Sequence, residues 1–281
     1  MSDKVIITAA LTGAVTPKSI NENMPITPEE IAEDAYKCWK AGAAIVHLHM
    51  RDEDAKGTMD ASRFKKTIEL LRANKDCDVV ICCTSSGTQY PLPNAARMEH
   101  FKTIPDIELG SYDSGSFNWA ALAIFENSPQ FLVELAECYN ANNILPEIEV
   151  FDTGMMWNAL HLVKQGLIKS PVYCQFCLGI LGGAPATVDN LMHLLRQMPE
   201  GSKWSAFGIG KNHLPIMYAA LALGADGIRV GLEDNVMFTK DVPANNVMMV
   251  ERAVRIVKEF AKQPATPAEA REILGLKPLT R

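Results

Sequence analysis

Strand-like and helix-like segments alternate along this chain without a break, and that alternation limits the possible folds more than any other feature. Short apolar or β-branched runs occupy residues 5–11, 45–51, 79–85, 107–111, 147–151, 172–178, 204–208 and 227–233. A clear helical pattern follows every run except 79–85, whose successor is short. The first helix is announced by Thr27-Pro28-Glu29-Glu30: a capping Thr, Pro at the first helical position and Glu at the third. Ile31, Ala35 and Cys38 then recur at helical spacing, and Gly42 ends the helix. A second capping box, Thr266-Pro267-Ala268-Glu269, opens a last short helix.

Strand–helix units repeated over 281 residues match a (β/α)8 TIM barrel, an α/β fold that typically needs about 250 residues. The expected organisation is one barrel domain over residues 1–281 with a short C-terminal helical extension. A doubly wound sheet is the alternative, and G-x-G-x-x-G would usually announce it after the first strand. Here that strand runs into Thr12-Gly13-Ala14-Val15.

Charge narrows the function classes. Lys+Arg 27 against Asp+Glu 33 gives −6, with no basic patch, which argues against nucleic acid as a partner. No apolar run reaches the ~18 residues of a membrane span, and no secretory signal opens the chain. The cysteine count is odd, and most cysteines sit in apolar runs, which points to reduced thiols and a cytoplasmic setting. Cys174-Gln-Phe-Cys177 has C-x-x-C spacing, but on a strand its two ends face opposite sides.

In a barrel, polar residues at the C-terminal ends of strands build the site. His47-Leu48-His49 places two imidazoles on one face of the second strand, while Val46 and Leu48 suit the helix interface. A divalent metal satisfies such a pair; so does hydrogen bonding between structural histidines. Glu233 and Asp234 end the eighth strand. Strands two and eight flank strand one, so they lie about 10 Å apart and inward side chains can bridge the gap. Two His and a carboxylate leave open coordination positions, the catalytic pattern for zinc. Arg229 shares a face with Glu233, and Glu147 and Glu149 share one on strand five. Several inward charges suit a site better than a core. Thr84, Ser85, Gly87 and Ser111 bring hydroxyl and N–H groups to the ends of strands three and four, where they suit a carboxylate. The Gly-rich segment 179–187 opens a helix; it reads equally as a site for a phosphate or a cofactor arm and as a flexible βα loop.

Taken together, several segments resemble the β-keto acid cleavage enzymes over nearly the whole chain. They are Thr8-Ala-Ala-Leu-Thr-Gly-Ala14, Pro25-Ile-Thr-Pro-Glu-Glu30, His47-Leu-His49-Met-Arg51, Pro146-Glu-Ile-Glu-Val150, Gly208-Ile-Gly210 and Ile228-Arg-Val-Gly-Leu-Glu-Asp-Asn235. The resemblance implies a zinc-dependent barrel that condenses a β-keto acid with acetyl-CoA, as co-substrate, to give acetoacetate and a new acyl-CoA. It implies His47, His49 and Glu233 as zinc ligands, Arg229 and Asp234 as the catalytic pair, and Glu149 as a further acidic site residue. Thr84 stands where the family has a substrate-binding hydroxyl, with Ser85, Gly87 and Ser111 in the matching loops. A homotetramer is implied as well. Members that act on an amine-bearing substrate have an acid directly after T-G-A; this chain has Val15, which points to an apolar or uncharged tail. A metal-dependent aldolase or lyase without CoA, and a non-catalytic metal-binding barrel, are the competing readings.

Overall fold

The eight expected strand segments each form a strand, and all eight pair in parallel: β1 (Lys4–Ala10), β2 (Ile45–Leu48), β3 (Val80–Cys83), β4 (Leu109–Asp113), β5 (Leu145–Val150), β6 (Tyr173–Leu178), β7 (Lys203–Gly208) and β8 (Gly227–Val230). Each strand pairs with its sequence neighbour. β8 returns to β1 with Ile6 opposite Gly227 and Ala9 opposite Val230, which closes the barrel. The structure is a computed structural model that describes residues 3–88, 91–119 and 123–279. Around the barrel run α1 (Pro28–Ala41), α2 (Ala61–Ala73), α3 (Asn94–Thr103), α4 (Pro129–Asn142), α5 (Thr153–Lys164), α6 (Val188–Leu195), α7 (His213–Ala222) and α8 (Asn246–Glu259); α9 (Pro267–Leu274) follows.

Local chemistry sets the helix ends. Thr27 accepts from the Glu30 N–H at 3.2 Å, and Glu30 accepts from the Thr27 N–H at 3.1 Å. Gly42 ends α1 at φ 115°, a left-handed backbone that a residue with a Cβ resists. Alternation along the strands then sorts the side chains. Val46, Leu48, Ile148, Val150, Cys174 and Phe176 face the helices and join the main core.

The barrel interior is layered. At its N-terminal end, Ile6, Ile45, Val80, Leu109 and Tyr173 form an apolar floor that packs against Ala265, Ala270 and Leu274 of the C-terminal extension. Arg271 of α9 clamps Glu108 with donors at 2.6 and 2.8 Å. Burying each large aliphatic side chain here is worth roughly 1.5–3 kcal/mol. With that end plugged, polar inward positions are left for the other. Cys174 and Cys177 do face opposite sides of β6, Cys174 toward the helices and Cys177 toward the charges of Glu149 and Arg229. All seven cysteines are free and buried. No helix among the described residues is long and apolar enough to cross a membrane.

Three differences from the expected strand limits bear on the site. The run 45–51 is not one strand: β2 stops at Leu48, and Met50–Arg51 turns away to pair antiparallel with Gly57–Thr58. Arg51 explains the turn, since its buried guanidinium donates to the carbonyls of Thr12, Gly13, Thr16 and Ala55. The fourth strand runs two residues beyond Ser111, to Asp113. The eighth stops at Val230, so Arg229 and Glu233 do not share a strand face. Gly231, at φ 145°, starts a tight turn there, and a Cβ at that position would collide with the Ala10 carbonyl.

Candidate active site

His47 points inward from β2, and His49 follows where the strand breaks. Their ring centroids are 5.0 Å apart. The turn after Gly231 carries Glu233 over them: Glu233 Oε1 lies 3.7 Å from His47 Nε2 and 3.3 Å from His49 Nε2. Gly13, at φ 57°, makes room, because a Cβ there would press on Glu233 Cγ at 2.7 Å. One ligand atom from each of these three residues lies within 4.8 Å of the others. Glu233 Oε2 and His49 Nδ1 are buried without a hydrogen-bond partner. Burial lowers the His47 pKa to about 4, so its ring is neutral and its lone pair is available. A His2Glu donor set of this kind suits a divalent metal such as zinc.

Arg229 organises the acids. Its Nη1 donates to Glu149 at 2.8 Å, its Nη2 to Glu233 at 2.5 Å, and Nε with Nη2 grips both oxygens of Asp234 at 2.8 and 2.9 Å. Its guanidinium also stacks over Phe207, 4.4 Å from the ring centroid. Three carboxylates on one guanidinium leave a surplus of negative charge in a buried place, which a divalent cation at Glu233 would offset. The pKa values divide accordingly. Burial disfavours the Glu233 charge, yet Arg229 above all, with His49 beside it, outweighs burial and holds the group well below the carboxylate range. Burial, with Glu233 nearby and Arg229 opposing, pushes Asp234 up to about 7. A carboxylate poised near neutrality can accept and return a proton during turnover.

These groups open onto a cavity of about 530 Å³ at the C-terminal end of the barrel. His49, Thr84, Glu149, Arg229, Glu233 and Asp234 line it. Ser85, Gly87 and Ser111 are not among the lining residues. Ser85 donates to the Ser111 carbonyl at 2.8 Å and Ser111 Oγ accepts from the Ser85 N–H at 3.1 Å, so the pair ties β3 to β4. The Gly87 N–H is directed at Met59 Sδ, 3.1 Å away. Ser86 and Thr88 take the places on the wall instead.

Val15, Pro17, Ile20, Phe117, Trp119 and Ile180 make much of the remaining wall apolar. Asp113 also lines the cavity, and burial with the neighbouring Glu149 keeps its carboxyl protonated well above the usual range. Sequence reasoning missed Asp113; its signal is the step of two from Ser111, visible once the strand is known to continue. Gln175 was also missed. It is fully buried and donates to both Glu147 at 3.2 Å and Glu149 at 3.0 Å.

A family model described as beta-keto acid cleavage enzyme matches residues 4–276. A 3-keto-5-aminohexanoate cleavage enzyme of Fusobacterium nucleatum is 38% identical over 278 residues, covering 99% of this chain and 100% of the relative. A 3-dehydrocarnitine:acetyl-CoA trimethylamine transferase of Rhizobium meliloti is 34% identical over 295 residues, covering 98% of each. Among solved structures, apo ObcA superposes with a TM-score of 0.81 at 20% identity, covering 90% of this chain and 65% of that one, a likeness of fold alone. Eight closed strands, an acid–base cluster at their C-terminal ends and a match along nearly the full length converge: the chain belongs to the β-keto acid cleavage enzyme family, whose members break a carbon–carbon bond by acyl transfer.

Proposed function

We propose that this chain is a zinc-dependent enzyme that condenses a β-keto acid with acetyl-CoA, giving acetoacetate and an acyl-CoA by a retro-Claisen type reaction. One observation carries the reading: His47, His49 and Glu233 converge on one point beside the Arg229–Asp234 pair, at the bottom of a single cavity. A zinc ion at those three residues would supply Lewis acidity toward the substrate's β-carbonyl. The chain's own groups do the rest. Asp234, oriented by two hydrogen bonds from Arg229, serves as the general base. Glu149 shares the guanidinium and keeps it charged. Thr84, with Ser86 and Thr88 in place of the deeper hydroxyls, offers polar groups to the substrate carboxylate. The bond between the α- and β-carbons breaks; the acyl portion ends on the CoA sulfur, and the two-carbon acid joins the acetyl group as acetoacetate.

Val15 and the apolar wall around it favour an acid with an apolar or uncharged tail. An ammonium placed there without a partner would cost several kcal/mol, on the order of the penalty for an unpaired buried charge. The seven buried free thiols support a cytoplasmic setting.

A panel of β-keto acids assayed for acetoacetate, with and without acetyl-CoA and with and without zinc, tests the proposal. Turnover that needs both is expected. Cleavage without acetyl-CoA would instead identify a lyase, and activity undiminished after complete metal removal would refute the metal role.

A further inference from the structure

Behind the cavity wall, Gln175, Glu147, Ser205 and Cys82 are buried polar side chains to which the proposed chemistry gives no role. Strand register places the amide: Gln175 of β6 sits opposite Glu149 of β5 on one side and Ser205 of β7 on the other. The Gln175 amide is fully used. Its Nε2 donates one proton to Glu149 Oε1 at 3.0 Å and the other to Glu147 Oε1 at 3.2 Å, and its Oε1 accepts from Ser205 Oγ at 3.0 Å. The Ser205 contact turns the amide so that its donors face the carboxylates.

Each carboxylate then leads to a different half of the site. Glu149 accepts from Arg229, which grips Asp234. Glu147 Oε1 accepts from the Cys82 thiol at 3.5 Å, and Cys82 Sγ lies 3.5 Å from His47 Nδ1. With the thiol S–H directed at Glu147, the sulfur lone pairs are left to accept from an N–H at His47 Nδ1. That tautomer leaves Nε2 unprotonated, on the side of Glu233 and His49.

We propose that Gln175 is a positioning residue for both halves of the site, holding Glu149 against Arg229 and Glu147 beneath Cys82 and His47. A neutral double donor is what the place requires. Two carboxyl groups project into the same interior from one strand, and each accepts a hydrogen bond from the one amide. An apolar side chain would leave both short of a donor, at a cost that each would shed by moving. A cation there would compete with Arg229 for Glu149. The half of the inference that runs through His47 rests on the metal reading above; the half that runs through Glu149 does not.

The test compares wild type with Gln175→Met, which keeps length but has no donor, and with Ser205→Ala, which removes only the group that orients the amide. Zinc affinity is read by competition with a chromophoric chelator, and kcat and KM are read separately in the acetoacetate assay. Gln175→Met is expected to lose about tenfold in zinc affinity, the low end of the range for a direct partner of a metal ligand, because Glu147 and Cys82 stand between it and His47. Its kcat should fall by about tenfold or more while KM changes little. Ser205→Ala should move both quantities the same way by less, and it carries the test alone if Gln175→Met does not fold. Folded variants with zinc affinity and kcat within twofold of wild type overturn the inference, even if they melt earlier, because that would be a structural role only. A wild type that binds no zinc overturns the metal reading and the His47 half, and kcat then decides the Glu149 half.

Discussion

Replacing Asp234 by Asn should push activity and stability in opposite directions. Asn keeps the shape of Asp and an oxygen for Arg229 to donate to, so the two hydrogen bonds at 2.8 and 2.9 Å lose at most one partner. What disappears is the charge. As general base Asp234 should be worth a factor of about 10²–10⁴ in rate, so kcat should fall by that amount. His47, His49 and Glu233 are untouched, and zinc should remain bound. Stability should rise in metal-free protein, because Arg229 still has Glu149 and Glu233 and the site sheds part of its surplus negative charge. Relieving a poorly balanced buried ion cluster is worth about 1–4 kcal/mol.

The pH dependence follows from the Asp234 carboxyl standing at about 7 when folded, against an ordinary 3.8. The native state therefore holds this proton more tightly than the unfolded state does. The stabilisation is complete below about pH 4 and is lost as pH rises through 7. The advantage of Asp234→Asn should accordingly be absent at the acid end and largest above neutrality. Urea unfolding of chelator-treated wild type and variant at pH 5 and pH 8, with the acetoacetate assay, measures both effects. A variant with wild-type kcat would remove Asp234 from the chemistry. A variant less stable than wild type at pH 8 would refute the charge-surplus account.

Glu233→Gln should lose more zinc affinity than the roughly 10–100-fold typical of an outer partner, since a ligand itself is removed; chelator competition reads this directly. Val15→Glu should raise kcat/KM for an amine-bearing β-keto acid relative to its alkyl analogue, and an unchanged ratio would show that residue 15 does not read the tail. Asp34 is held by Asn246 Nδ2 at 2.6 Å, and burial lifts its pKa to about 6. Asp34→Asn should therefore stabilise the protein by about 3 kcal/mol at pH 7.5 and by well under 1 kcal/mol at pH 4, as urea midpoints would show.

Much of this molecule is readable from short stretches of sequence, and the reason is range. Thr27 and Glu30 cap α1 because the groups that bond are three residues apart in any conformation that starts a helix. The alternation of strand and helix patterns implies a barrel because each unit can bury its apolar face only against its neighbours. His47 and His49 come together because they sit two apart at the end of one strand, and Glu233 joins them because a closed sheet must bring the eighth strand beside the first. The tertiary structure decided what depends on closure and register. Arg229 meets Glu149 across 80 residues, and Gln175 meets both Glu149 and Ser205 only because three strands align at that level. The end of β8 at Val230, the turn permitted by Gly231, and the continuation of β4 to Asp113 all hang on backbone positions in other strands. A residue's own neighbours determine its preferred geometry, but which distant partner fills its hydrogen bonds is set only when the whole ring of strands has formed.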